Sequence, residues 1–274
     1  MRPGYLDAMF HHGRVLIIAG SDSGGGAGIQ ADIKTVTVLG GYAATAITAV
    51  TAQNTLGVHG VHRVPLEMIE AQARAVLTDI GADVIKTGML GDPTVVTLVA
   101  RLISEADVPA VIDPVMIAKG GAALLDADAI AVVRERLVPL AALLTPNAPE
   151  AEALTGLSIA SLDDQLRAGH ALLNAGAKAV LMKGGHLPGA RVVDLLVTAD
   201  GETAFEGERI ATRHTHGTGC TLASACATGL AQGLPLTAAV ARAWDYVHEA
   251  ILHAPGFGAG QGPLDHGWPL RGRA

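Results

Sequence analysis

One order of residues recurs along most of this chain and limits what it can fold into. A short apolar run ends in glycine and polar residues, and a helical pattern follows. Val15-Leu-Ile-Ile-Ala19 leads into Gly20-Ser-Asp-Ser-Gly-Gly-Gly-Ala-Gly28, and residues 29–39 then read as a helix. The apolar runs at 83–88, 109–116 and 141–145 behave alike, each with a helical stretch after it. The run at 43–52 reaches its helix at Pro65 after an edge strand or hairpin at 56–64, and the run at 178–182 ends in Lys183-Gly-Gly-His186 ahead of short strands. Continuous apolar runs, rather than alternating ones, mark parallel strands buried on both faces. The order therefore predicts an α/β fold: a doubly wound, mostly parallel sheet with helices on both faces. A run of short strands at 192–197, 203–205 and 208–212 reads as an antiparallel excursion, which disfavours a closed eightfold barrel. Aromatic residues are only 3% of a chain that is 50% hydrophobic, so Ala, Val, Leu and Ile must fill the core.

No linker or repeat interrupts the pattern. Residues 1–14 read as a flexible arm and 15–274 as a single domain. A formal net charge of −7 without a long basic run argues against nucleic acid as a partner. Residues 1–14 lack the apolar centre of a signal peptide, and no apolar run is both long and unbroken enough to span a membrane. Cys220 and Cys226 lie six apart in one helical pattern, unsuited to a zinc cluster or disulfide framework. These features place the protein in the cytoplasm.

Ligands of open α/β sheets sit beyond the carboxyl ends of strands. The candidate functional residues fall there: Gly20 and Asp22, Gln53 and Asn54, Lys86 and Met89, Asp113, Asn147 and Glu150, Lys183, and Gly217 to Cys220. The run His214-Thr-His-Gly-Thr-Gly-Cys220 passes directly into a small-residue helical pattern over 218–232. A helix start presents free N–H groups and positive partial charge, which suits a phosphate. A cysteine in that first turn would have its thiolate stabilised, so Cys220 could serve as a nucleophile or a base. His214 and His216 are rivals for that task. Gly26-Ala-Gly28-Ile-Gln-Ala31 formally matches a dinucleotide fingerprint, but no Asp or Glu follows between Asp32 and Glu67 to hold a ribose. No Gly-Lys-Ser/Thr follows either. The loop could let backbone approach a small ligand touched by Asp32 or Asp22, or only allow close packing. Asn147 and Glu150, three apart at a helix start, could reach one magnesium ion or form a cap. Lys183 could meet a nucleotide phosphate. Asp113 could hold metal-bound water or stiffen its loop, and 118–121 reads as a mobile turn.

Several of these stretches are familiar together: Ala19-Gly-Ser-Asp-Ser-Gly-Gly-Gly-Ala-Gly-Ile-Gln-Ala-Asp-Ile-Lys34, Thr51-Ala-Gln-Asn-Thr55, Lys86-Thr-Gly-Met-Leu90, Asp113-Pro-Val-Met116, Leu144-Thr-Pro-Asn-Ala-Pro-Glu150, Leu181-Met-Lys-Gly-Gly-His186 and His214-Thr-His-Gly-Thr-Gly-Cys220. In that order, across about 15–265, the chain resembles the bacterial hydroxymethylpyrimidine/phosphomethylpyrimidine kinases of thiamine biosynthesis, a ribokinase-like family. The resemblance implies ATP and Mg2+ as cofactors. It implies phosphorylation of 4-amino-5-hydroxymethyl-2-methylpyrimidine and then of its monophosphate. It places the pyrimidine near Gly20, Asp32, Thr51, Gln53, Met89 and Cys220. It makes Gly217, Thr218 and Gly219 the anion hole, and puts Asn147 and Lys183 on the nucleotide side, with Glu150 and Asp113 toward the metal. It also implies a homodimer. Two positions are distinctive. Gly24 stands where the family commonly has serine, which removes one loop hydrogen bond. Cys220 stands where most ribokinase-like sugar kinases carry aspartate, a trait shared with pyridoxal kinases of the same branch. A pyridoxal kinase, a dinucleotide oxidoreductase and a non-catalytic pyrimidine-binding protein are the competing readings. The missing ribose acid counts against the second, and the retained phosphoryl-transfer set against the third.

Overall fold

The computed structural model describes residues 12–116 and 127–271. Most of the expected arm, the 118–121 turn and Asp126 lie outside the described residues. Among those described, nine strands form one sheet: β1 (Arg14–Asp22), β2 (Tyr42–Asn54), β3 (Gly57–Arg63), β4 (Val84–Thr87), β5 (Ala110–Ile112), β6 (Ala141–Leu144), β7 (Ala179–Met182), β8 (Arg191–Thr198) and β9 (Gly201–Glu208). Their order is β3-β2-β1-β4-β5-β6-β7-β8-β9. The strands from β2 to β7 pair in parallel, while β3, β8 and β9 join antiparallel at the two margins. The chain winds outward in both directions from β1, so the switch point lies between β1 and β4.

Neighbouring side chains of β1 feed opposite cores. Leu16 and Ile18 pack with Ile69 and Ala73 of α2 (Leu66–Asp79), Val96 and Val99 of α3 (Pro93–Ala106), Ala129 of α4 (Ala127–Val132), Leu154 of α5 (Ala148–Thr155) and Leu172 of α6 (Leu162–Asn174). Val15 and Ile17 pack with Val36 of α1 (Gly28–Val38), Ala223 and Ala227 of α7 (Thr218–Ala231) and Ala243 of α8 (Leu236–Leu252). The sheet is thus covered on both faces, as its apolar runs require. Local signals hold closely at α3, where the Asp92 side chain accepts from the N–H groups of Thr94 and Val95 and Pro93 opens the helix.

Three expectations need correction. The third short strand at 208–212 does not form. Strand β8 already has β7 and β9 on its two edges, and beyond Glu208 the chain leaves the sheet. The helical pattern that the sequence carries from Asp126 to Arg136 stays α-helical only to Val132 and widens into a π turn over Val133–Leu137. Pro139 accounts for this, because its ring crowds the carbonyl four residues back. The tail from Pro255, whose Gly/Pro-rich composition predicts coil, is not loose throughout. Leu264, Asp265 and His266 are buried, the Tyr246 hydroxyl donates to the His266 carbonyl at 2.6 Å, and a 3-10 turn spans Trp268–Leu270.

Candidate active site

The pairing of β1 with β2 slips between Ala19 and Ser21, and the glycine loop leaves the sheet at that bulge. Asp22 shapes the loop. Its Oδ1 accepts the Gly24 N–H at 2.8 Å, and its Oδ2 accepts the N–H groups of Gly26 at 3.1 Å and Ala27 at 2.8 Å. The same Oδ2 lies 2.9 Å from His216 Nε2. Burial opposes ionisation of this carboxyl, but the His216 bond and the N–H groups outweigh it and hold Asp22 below the usual carboxylate range. At Gly24, the Ser23 hydroxyl next door ties the loop to β2 by donating to the Gln53 carbonyl at 2.7 Å.

A second glycine turn locks onto the first. Gly217 adopts φ +88°, and a Cβ there would lie 1.7 Å from the Gly26 carbonyl oxygen. Only glycine permits that approach. Helix α7 begins at the next residue with no side-chain cap, so its first turn faces the space in front. Around this turn are Gly20, buried against the Met89 methyl, and Thr51, whose hydroxyl donates to the Ser21 carbonyl at 2.9 Å. Gln53 reaches His216, with 3.3 Å between its Nε2 and the His216 Nε2. Thr48 fixes the Met89 carbonyl at 2.7 Å.

The other flank of the turn is ionic. Lys183, at the end of β7, places Nζ 2.9 Å from Asp113 Oδ1 and 3.6 Å from Glu150 Oε2. A Cβ on Gly219 would lie 3.1 Å from that Nζ, so the ammonium touches the helix start. Asn147 and Glu150 form a reciprocal capping box at the head of α5. Burial, opposed by Lys183, raises the Glu150 carboxyl to about 6. Gly184 donates to Asp194 at 2.7 Å, and a Cβ at Gly184 would lie 1.9 Å from the Val193 carbonyl oxygen, so this strand end is rigidly seated.

The donors on this flank suit magnesium. A cation already sits beside Asp113 and Glu150 in the form of the Lys183 ammonium, and their oxygens are hard ligands. Among the described residues no group of three or more His, Cys, Asp or Glu side chains could hold a metal alone.

Beneath the turn lies a buried ion pair. Lys86 Nζ donates to both Asp32 oxygens at 2.8 and 2.9 Å, and Ser224 of α7 donates to Asp32 at 2.6 Å. Neither charged side chain is exposed. Burial works against the Lys86 charge, but Asp32, with Cys220 and Asp113 nearby, raises its pKa.

An uncapped helix start between Gly20, Thr51, Gln53 and Met89 on one side and a cation–carboxylate cluster on the other invites comparison with known proteins. The family model described as phosphomethylpyrimidine kinase matches residues 22–265. A hydroxymethylpyrimidine/phosphomethylpyrimidine kinase of Streptomyces coelicolor is 50% identical over 93% of this chain and 95% of its own length. The chain belongs to the phosphomethylpyrimidine kinase family. The thiamine biosynthesis bifunctional protein ThiED of Geobacter sulfurreducens is 52% identical over 94% of this chain, which spans only 53% of that longer protein. Among solved structures, an ADP complex of Bacillus subtilis pyridoxal kinase superposes with a TM-score of 0.88 at 36% identity, covering 94% of this chain and 98% of that one. The expected ribokinase-like fold is therefore the fold of this kinase.

Two expectations about site residues change. Asp32 is not open to a ligand: its carboxylate is sealed against Lys86 and Ser224. Cys220 keeps partial exposure, yet its thiol is pushed up to about 12. Burial is the largest cause, Asp32 and Asp113 add to it, and the Lys86 charge and a Gly28 backbone hydrogen bond only partly oppose it. The helix start does not make a resting thiolate. His216 is tied to Asp22 and Gln53 instead of standing free as a rival base. Sequence reading gave Lys86, Asp22, His216 and Ser224 no fixed part. Asp22 ahead of a glycine run is a recognisable side-chain-to-backbone signal. Nothing in the residue order links Lys86 to Asp32.

Proposed function

We propose that this kinase uses one site for two successive phosphoryl transfers. ATP first phosphorylates the hydroxymethyl group of 4-amino-5-hydroxymethyl-2-methylpyrimidine, and then the monophosphate so formed. The observation that carries this reading is the meeting of two flanks at the start of α7. One is the group of Gly20, Thr51, Gln53 and Met89; the other is the group of Asn147, Lys183, Asp113 and Glu150. The heterocycle takes the first flank, with Gln53 toward its polar edge. The nucleotide takes the second. Gly217, Thr218 and Gly219 cradle the moving phosphoryl group with backbone N–H groups, which stabilise charge without reorganising. Asp113 and Glu150 would hold Mg2+, which when bound neutralises phosphate charge. Asp32 acts from beneath, holding Lys86 under Cys220.

Cys220 faces the acceptor. With its thiol protonated at rest, it orients the alcohol and takes part in proton movement only as the new bond forms. Phosphoryl transfer through a loose transition state makes little demand on a strong base. The second acceptor is a phosphate monoester whose last proton leaves near pH ~6, so it arrives largely ionised. Cys220→Ala should therefore slow the first transfer by about 10²–10⁴-fold, with a smaller effect on the second and little on nucleotide affinity. Equal losses in both transfers would remove Cys220 from proton handling.

Substrate choice is tested by coupled ATP consumption with the pyrimidine alcohol, its monophosphate and pyridoxal in parallel. The first two should react and pyridoxal poorly. Strong turnover of pyridoxal alone would favour the competing reading, which the Bacillus pyridoxal kinase likeness supports. In this proposal residues 15–274 act as one kinase domain in a cytoplasmic homodimer. The half-exposed Val50 and Val61 on the marginal β2–β3 pair and the free cysteines Cys220 and Cys226 support it. No helix of the described residues is long and apolar enough to cross a membrane. Sedimentation should give twice the chain mass.

A further inference from the structure

Lys183 occupies a place that ordinary electrostatics would deny it. Its ammonium lies against the first turn of α7, since a Cβ on Gly219 would stand 3.1 Å from Nζ. The start of a helix carries about half a unit of positive charge, which repels a cation. Asp113 and Glu150 hold the ammonium there, at 2.9 and 3.6 Å. All three side chains are secluded, with exposures of 13% for Lys183, 2% for Asp113 and 8% for Glu150. The charges of this flank are therefore arranged around a cation that the protein supplies itself.

We propose that Lys183 is a tethered place-holder for the divalent cation, and that phosphate and metal enter together by exchange with it. This rests on the reading that puts Asp113 and Glu150 toward the metal and Lys183 toward the nucleotide. A phosphate reaching the turn offers the ammonium a better partner within a short swing. The two carboxylates then lose their counter-ion while still buried, which is costly until another cation replaces it. A metal arriving alone must displace an ammonium that cannot diffuse away, and a tethered competitor acts at a high effective concentration. Each ligand thus removes the obstacle to the other, and by linkage each raises the other's affinity by the same factor. Unproductive binding of free metal is suppressed, and the buried charges stay compensated in both states.

The test reads metal binding instead of turnover. Mn2+ is titrated into full-length, nucleotide-free protein and free Mn2+ is followed by its paramagnetic resonance signal. The wild type should bind weakly. Lys183→Met should bind Mn2+ at least tenfold more tightly, and Lys183→Gln should do the same while keeping a hydrogen-bond donor for Asp113. Adding Glu150→Gln to Lys183→Met should abolish the gain, since Gln can still complete the capping box. If both single variants fold, by circular dichroism, and bind Mn2+ no better than the wild type, the exchange is refuted. The metal reading would survive that result if Glu150→Gln alone still weakened Mn2+ binding to the ADP complex. A gain that persisted in the double variant would overturn the metal reading and the exchange with it.

Discussion

At the scale of single residues, the site depends on buried charges that compensate each other. Lys86 and Asp32 are both fully enclosed and share two short hydrogen bonds. Removing one member of such a pair strands the other. Lys86→Met should cost about 3–5 kcal/mol of stability, whereas pairing it with Asp32→Leu should cost less than Lys86→Met alone. Urea unfolding of the two variants checks this, and a double variant less stable than the single one would contradict it. The pair's value then lies in the site and not in stability. It brings a positive charge under Cys220 that partly offsets the burial of the thiol. The residue identities alone marked Cys220 and Lys183 as chemical candidates. They marked Lys86 only as a polar residue at a strand end and gave it no partner, because the chemistry of a lysine depends on what burial brings beside it.

At the scale of elements, α7 has two tasks that pull its composition the same way. Its start must meet phosphate, and its body must lie between the sheet and α8. Ten of its residues from Thr221 to Ala231 are buried, nearly all of them small. Gly229 shows how close the packing is: a Cβ there would lie 2.7 Å from the Ala239 Cβ and 3.0 Å from its Cα. Alanine is the better helix former by about 1 kcal/mol. Overpacking against a neighbouring backbone costs about 1–3 kcal/mol. Gly229→Ala should therefore destabilise the protein on balance, by about 1 kcal/mol in chemical denaturation; a stabilised variant would show that α8 can shift freely. The start of α7 was legible in the sequence because glycine and polar residues stop abruptly at a helical run. The π turn after Val132 was not, because it answers to Pro139 beyond the point where the periodic pattern ends.

At the scale of the whole molecule, the C-terminal tail is anchored to the two helices that follow the site, α7 and α8. His266, in the tail, lies 3.0 Å by its Nε2 from the Thr221 hydroxyl of α7, and its carbonyl is held by Tyr246 of α8. Burial, helped by Lys34 and His216 nearby, lowers its pKa from 6.5 to about 4. Below pH 6.5 the unfolded chain takes up a proton there that the folded chain refuses. Stability is thus lost as pH falls from 6.5 toward 4, by about 3 kcal/mol across the window for this group. Asp194, raised by burial to about 6, acts in the opposite sense over an overlapping range. The difference between His266→Gln and wild type isolates the histidine, and the variant should lose less stability on acidification. Parallel pH curves for the two proteins would rule His266 out as the acid-sensitive anchor.

What the sequence determined by itself was the periodic part: alternating apolar runs and helical stretches, polar residues at strand ends, and glycines where backbone must come close. These are local properties, and they suffice for the α/β class and for the position of the site on the sheet. The tertiary structure alone decided which of those residues meet. It sealed Asp32 against Lys86, bound His216 to Asp22, kept the Cys220 thiol protonated, and set Lys183 beside two carboxylates and a helix start. Each of these turns on burial and on groups distant in sequence, and a charge is read correctly only when its surroundings are known.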